Sequence, residues 1–185
     1  MKKIVIFASG SGSNFENIVN KLHMKECSVE LLVCDRAGVG CLEKSERLGI
    51  NTLNLMLKDY PSKNAYEQVI LAKLQTIQPD LIVLAGYMKL ISEDLLNAYE
   101  GKIINIHPSL LPAFPGANGI ADAFNYGVKV MGITIHYVDA GIDTGQIIDQ
   151  ESFKLTEEDD MTTVTRKIHE LEHRLYPEVI CRLLK

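Results

Sequence analysis

The sequence predicts a Rossmann-like α/β fold: one domain over residues 1–185, a mostly parallel sheet with helices on both faces, and an antiparallel portion near the C-terminus. Apolar runs of strand length alternate with helix-spaced segments as far as residue 107, which is typical of parallel sheets. A glycine-rich turn, Ser9 to Asn14, follows the first run. Strands predicted at 131–137 and 145–152 are joined by a connection too short for a crossover helix, so we expect them to be antiparallel.

The first half of the chain supplies elements whose ends are marked by glycine and proline. In chain order we predict strand 4–8, a helix over 15–22, strand 31–33, helix 41–48, strand 51–55, a helix over 65–74 and strand 81–85. Gly49 closes the second helix, and the third must end before Pro79. The last of these strands is a continuous apolar run, as expected for a strand buried on both faces.

The second half follows the same logic up to a proline-containing loop. We predict a helix over 92–99, strand 103–107, a loop with Pro108, Pro112 and Pro115, the two antiparallel strands, and a long final helix from Met161 to Leu183. Apolar residues at helical spacing define that helix, and Pro177 predicts a kink or break in it.

Composition excludes several classes of partner. A net charge of −5 and a pI near 5.5 give no basic surface for nucleic acid or for an anionic membrane. No apolar run approaches the roughly 20 residues of a membrane span, and the chain enters a strand at once, so we expect a cytoplasmic protein. Four cysteines without a Cys-x-x-Cys pair indicate reduced, packing-type thiols. A monomer and a homodimer both remain open.

Two polar residues end an apolar strand. Asn105 and His107 lie two apart, so an extended chain presents an amide donor and an imidazole on one side, a pair that can stabilise an oxyanion. The alternative is a loop-capping Asn beside a satisfied, half-buried histidine. Asp143 lies in a glycine-bracketed loop, where a carboxylate can be aimed at the imidazole and favour its protonated form.

The strings INIHPSLLPAFPG and GITIHYVDAGIDTGQII resemble the folate-dependent phosphoribosylglycinamide formyltransferases, and the similarity extends over the whole chain. The resemblance implies formyl transfer from 10-formyltetrahydrofolate, a cosubstrate, to the amine of a phosphoribosylated glycinamide, with no permanently bound cofactor and only small-molecule partners. It assigns catalysis to Asn105, His107 and Asp143. It assigns the glycinamide substrate to Gly12, Ser13, Asn14 and Glu172, and the formylfolate to Lys63, Met88, Lys89, Leu90, Ile91 and Asn105.

The chain departs from this family at some positions. Members often carry arginine where Lys63 and Lys89 stand, and lysine offers a point charge in place of a planar fork. Some members carry histidine in the loop where Asn118 stands. These departures leave the three catalytic positions untouched but affect how substrates are positioned.

Other functions have to be weighed against this one. The glycine turn could be a simple turn with Asn14 as helix cap, or a dinucleotide site, with Phe15 replacing the third glycine and Asp35 ending the second strand. His169 and His173 match the His-Glu-x-x-His zinc signature, but only 12 residues follow to supply a third ligand, so a solvated helix face and no metal are expected. Another folate formyltransferase, a formyltetrahydrofolate hydrolase and a non-catalytic nucleotide-binding module are the functional alternatives.

Overall fold

Seven strands and six α-helices alternate in the computed structural model, which describes residues 1–185. The strands are β1 (Lys3–Ala8), β2 (Ser28–Cys34), β3 (Thr52–Asn54), β4 (Leu81–Leu84), β5 (Ile103–His107), β6 (Val130–Tyr137) and β7 (Ile147–Lys154). The helices are α1 (Ser13–Leu22), α2 (Gly40–Leu48), α3 (Lys63–Ile77), α4 (Glu93–Ala98), α5 (Gly119–Tyr126) and α6 (Met161–Leu184), with a 3-10 turn over Leu57–Asp59. The α/β prediction is confirmed.

The strands form a single sheet in the order β3-β2-β1-β4-β5-β6-β7. The pairs from β3 through β5 are parallel, and β6 and β7 are antiparallel to their neighbours. The predicted antiparallel portion is therefore confirmed. The chain reverses its winding between β3 and β4, which places β1 and β4 side by side, and ligands of such sheets bind beyond the carboxyl ends of the strands.

Helices cover both faces, so the central strands are apolar along their whole length. In β1, Ile4 and Ile6 point into the core beneath α1 and α6, whereas Val5 and Phe7 point into the core beneath α3 and α4. Successive strand residues face opposite sides, which is why a continuous apolar run is required here. The helices α1, α2, α5 and α6 complete the first core, and α3 and α4 complete the second.

Two expectations about helices were wrong. The segment after Pro115 contains α5, where only a loop was expected; Ile120, Ala123 and Phe124 have helical spacing, and Gly127 ends the helix in the left-handed conformation. The helix α6 continues through Pro177 without a break. Proline at this position leaves the carbonyl of His173 without its helical donor. Side chains of α1 replace that donor, because Asn17 Nδ2 and Lys21 Nζ each donate to His173 O at 2.7 Å.

Candidate active site

A cavity of about 410 Å³ opens at the carboxyl ends of β1, β4 and β5. It collects the glycine turn, the loop after β4, the end of β5 and one face of α6. Of the residues that the sequence singles out, the cavity is lined by Gly12, Ser13, Asn14, Met88, Lys89, Leu90, Asn105, His107, Asp143, His169 and Glu172. Segments distant in the sequence therefore meet at one site.

Asn105 and His107 occupy the end of β5 and line the same cavity, as their spacing predicts. His107 is 4% exposed, and its Nε2 lies 2.8 Å from the carbonyl oxygen of Phe114. A carbonyl only accepts, so Nε2 carries a proton and Nδ1 is the nitrogen left for the site. Ser109 Oγ donates to Ala113 O at 2.7 Å and lies 3.2 Å from Phe114 O, which fixes the loop that holds the imidazole.

Asp143 lies 3.3 Å from His107, measured from Oδ2 to Nδ1. The backbone of Asp143 has φ of +54°, a left-handed conformation that is uncommon for residues other than glycine. Asp143 Oδ2 accepts a hydrogen bond from Gly116 N at 2.8 Å. Burial raises the pKa of the Asp143 carboxyl, but the nearby imidazoles of His136 and His107 and the hydrogen bond from Gly116 N bring it below its usual value. The carboxylate is thus held in its charged form beside the imidazole.

His136 belongs to this group as well, and the sequence analysis did not identify it. It is 2% exposed on β6, directly opposite Asn105 in the antiparallel register. Its Nδ1 lies 2.8 Å from Tyr137 O, and its Nε2 lies 3.2 Å from Asn105 Nδ2 and 3.6 Å from Asp143 Oδ1. Polar Thr134 and His136 at alternate positions of an otherwise apolar strand were the available signal.

The glycine turn forms the opposite end of the cavity. Gly12 is the N-cap of α1, has φ of +73°, and leaves the helix without a side-chain cap. The alternative in which Asn14 caps the helix is therefore wrong. Free amides and the dipole at such a helix start favour an anion. A Cβ on Gly12 would lie 2.6 Å from Cys41 Cβ, so close packing as well as conformation requires glycine here.

Asn14 instead makes a buried contact with α6. Its Nδ2 donates to Glu172 Oε2 at 3.0 Å, and its own Oδ1 is buried without a partner. Burial raises the pKa of Glu172, and the hydrogen bond from Asn14 and the charge of His169 offset this only in part. A buried carboxyl at a cavity wall supplies acceptors for a ligand with hydroxyl or amine donors.

A smaller slot of about 90 Å³ adjoins the main cavity. Its apolar lining comes from the end of β4, the loop that follows and the β6–β7 loop: Leu84, Tyr87, Leu90, Ile91, Val138, Ala140 and Ile142. Its polar lining includes Lys89, Asn105, His136, Asp139 and Asp143. Asn105 and Asp143 line both spaces, so they lie where the slot and the cavity join. Lys89 also lines both, and its Nζ lies 3.3 Å from Oδ2 of the buried Asp35.

Three sequence signals do not contribute to this junction. Lys63 lines neither space; it begins α3, half-exposed, with Nζ 3.7 Å from Glu67 Oε1. His169 is exposed on α6 and lines the larger cavity, whereas Glu170 is exposed and lines neither space, and no group of three metal-ligating side chains is found. Asp35, the acidic residue of the dinucleotide interpretation, is buried against Lys89 and does not face a ligand freely. No helix has the length and apolar character that crossing a membrane requires.

An amide, an imidazole and a carboxylate at the open end of such a sheet can stabilise the oxyanion of an acyl transfer and move its protons, so the site defines an acyl-transfer enzyme. The model of the formyl transferase family matches residues 2–180. The chain is 51% identical to phosphoribosylglycinamide formyltransferase of Bacillus subtilis, over all of this chain and 95% of the relative. It belongs to the formyl transferase family and is an enzyme of the transferase class.

Solved structures agree with this assignment. Phosphoribosylglycinamide formyltransferase of Streptococcus pneumoniae is 46% identical with a TM-score of 0.94, and all of both chains is covered. The enzyme of Bacillus halodurans is 49% identical with a TM-score of 0.95, covering all of this chain and 96% of that one. The chain also matches 18% of the length of the trifunctional purine biosynthetic protein adenosine-3 of Gallus gallus, at 37% identity.

Proposed function

We propose that residues 1–185 act as one formyltransferase domain that transfers the formyl group of 10-formyltetrahydrofolate to the amine of N1-(5-phosphoribosyl)glycinamide, in purine biosynthesis. The observation that carries the proposal is the junction of two differently built spaces at Asn105 and Asp143. One is a narrow slot with apolar and polar walls, suited to a flat pterin with polar edges. The other runs to an amide-rich helix start suited to a phosphate.

The glycinamide substrate occupies the larger cavity. Its phosphate accepts from the backbone amides of Gly12, Ser13 and Asn14, where the helix dipole compensates for an acidic chain. Glu172 accepts from the ribose hydroxyls, because a carboxylate offers acceptors and a ribose offers donors. The amine then reaches the junction of the two spaces.

The formylfolate occupies the slot, with its pterin between the apolar side chains of the two loops. Leu90 and Ile91 supply apolar contacts within the slot, and Met88 supplies one from the adjoining cavity. Lys89 donates to the part of the cosubstrate that leaves the slot. Lys63 is separate from the slot, so its role would be limited to the outer, carboxylate-bearing end of the folate.

The reaction is a direct acyl transfer. The amine nitrogen attacks the formyl carbon and forms a new C–N bond, while the carbonyl π electrons move onto the oxygen. Asn105 Nδ2 and His107 Nδ1 donate to that oxygen, where charge develops. Collapse of the tetrahedral intermediate breaks the bond to the folate nitrogen. The proton lost by the attacking amine moves through water held by Asp143 to the leaving nitrogen, and no covalent enzyme intermediate forms.

The experiment is to incubate the protein with both compounds and to measure formylglycinamide product and tetrahydrofolate together. Equal amounts of both, dependent on His107, support the proposal. Formate with tetrahydrofolate but no formylated amine would instead indicate a hydrolase. Saturable binding without turnover would indicate a non-catalytic module.

A further inference from the structure

Two buried thiols lie in contact beneath the glycine turn. Cys34 is the last residue of β2, and Cys41 is in the first turn of α2; both are fully buried and free. Their sulfurs are 3.6 Å apart, and Cys41 Sγ donates to Cys34 Sγ. The proposed formyl transfer uses neither thiol.

The pair is coupled to the turn by backbone contacts as well as by packing. Cys41 N donates to Gly10 O at 3.0 Å, and the Cβ of Cys41 occupies the space beside Gly12. The neighbouring Gly40 is equally close, since a Cβ there would lie 2.9 Å from Ser11 O. No flexible side chain separates the start of α2 from the turn, so a shift of Cys41 has to move the turn's backbone.

We propose that Cys34 and Cys41 are an oxidisable pair that closes to a disulfide and thereby displaces the Gly10–Asn14 turn. A disulfide requires sulfurs about 2.05 Å apart, so the two thiols approach by ~1.5 Å. Cys34 lies at a strand end within the sheet, so we expect Cys41 and the start of α2 to make most of the movement. The disulfide itself is independent of the proposed function; only its effect on turnover rests on that function.

The chemistry needs a peroxide. The Cys34 thiolate attacks one peroxide oxygen, the O–O bond breaks, and a sulfenic acid and hydroxide form. The Cys41 sulfur then attacks the sulfenic sulfur, an S–S bond forms, and the sulfenic oxygen leaves as water with the thiol proton. Both sulfurs are oxidised and one peroxide is reduced to water, so the electrons balance.

The two thiols differ in a way that suits these roles. The hydrogen bond from Cys41 lowers the pKa of Cys34, although burial opposes this, whereas its role as donor raises the pKa of Cys41. Burial raises the pKa of Cys27 to about 11 and also raises the pKa of Cys181. The chain between the pair includes the exposed residues Arg36 to Gly38, so opening of this short turn admits a small oxidant.

The test compares the reduced protein with protein treated with hydrogen peroxide. Peptide mass mapping without reductant should find Cys34 joined to Cys41 and both other thiols free. Amide hydrogen exchange of residues 10–14 should become faster, and the KM for the phosphoribosylated substrate should rise about tenfold, the loss expected for about one charge-assisted hydrogen bond. Dithiothreitol should reverse all three changes.

Matched variants separate the pair from general oxidation. Cys34→Ala and Cys41→Ala should each abolish the disulfide and the exchange response, and Cys181→Ala should respond as the unmodified protein does. Free thiols at both positions after treatment, a sulfinic acid at Cys34, or a disulfide that leaves exchange at 10–14 unchanged would each overturn the inference. Absence of formyl transfer in the reduced protein would refute the proposed function. Peptide mass mapping and amide hydrogen exchange would still test whether the disulfide forms and displaces the turn.

Discussion

Replacing Asp143 by Asn removes a charge from the catalytic junction while keeping the shape of the side chain. The carboxylate lies 3.3 Å from His107 Nδ1, with side chains 14% and 5% exposed. At an effective dielectric constant of about 20, a charge pair at this separation is worth about 5 kcal/mol. This is an upper bound for the free energy by which the carboxylate stabilises a positive charge on the imidazole in the transition state. A factor of ten in rate corresponds to about 1.36 kcal/mol. We therefore expect turnover to fall between about a hundredfold and a few thousandfold.

The assay is steady-state formyl transfer with each substrate varied in turn. The fall should appear in kcat, with both KM values within about threefold of those of the unmodified protein, because the carboxylate acts on charge that develops only in the transition state. Asp149→Asn is the matched control: Asp149 lies on β7 outside both spaces and pairs with Arg182 of α6, so its change should leave turnover unaltered. Near-normal kcat in Asp143→Asn, or a loss confined to KM, would refute the role of the carboxylate.

Three further perturbations test the rest of the site. Asn105→Ala and His107→Ala each remove an oxyanion donor, worth about 2.7–4 kcal/mol, so kcat should fall at least a hundredfold with KM retained; parallel loss of binding in a calorimetric titration would contradict this. Burial raises the folded-state pKa of Glu172. The contribution of Glu172 to the free energy of unfolding is therefore fully present below its unfolded-state pKa and is lost as the pH rises through its folded-state pKa. Glu172→Gln should therefore raise the Tm at neutral pH and leave the Tm unchanged near about pH 4. The same substitution should raise the KM for the glycinamide substrate. An equal change of Tm at both pH values would contradict the role of the buried carboxyl. Gly12→Ala should weaken binding of the same substrate and lower the Tm more than Gly38→Ala does. Gly38 has a similar φ of +65° but open space around its Cβ position, so equal effects in a thermal melt would contradict packing as the cause.

The elements of the fold could be predicted from local patterns, because strand and helix periodicity depend on neighbours in the chain. The continuous apolar strands indicated a sheet covered on both faces, and the short connection after β6 indicated its antiparallel end. Helix α5 was missed because the prolines before it obscured its start. The passage of α6 through Pro177 could not be predicted either, since the donors that satisfy His173 O come from α1, more than 150 residues away.

The sequence by itself determined that Asn105 and His107 share one side of a strand, because that follows from the two-residue repeat of any extended chain. Only the tertiary structure decided that Nδ1 of His107 faces the site, because Nε2 is hydrogen-bonded to Phe114 O. It also decided that His136 lies beside Asn105, because the β5–β6 register brings them together, and that Lys63 lies apart from the cavity. Contacts between distant segments depend on how elements pack, and a local pattern carries no information about that packing.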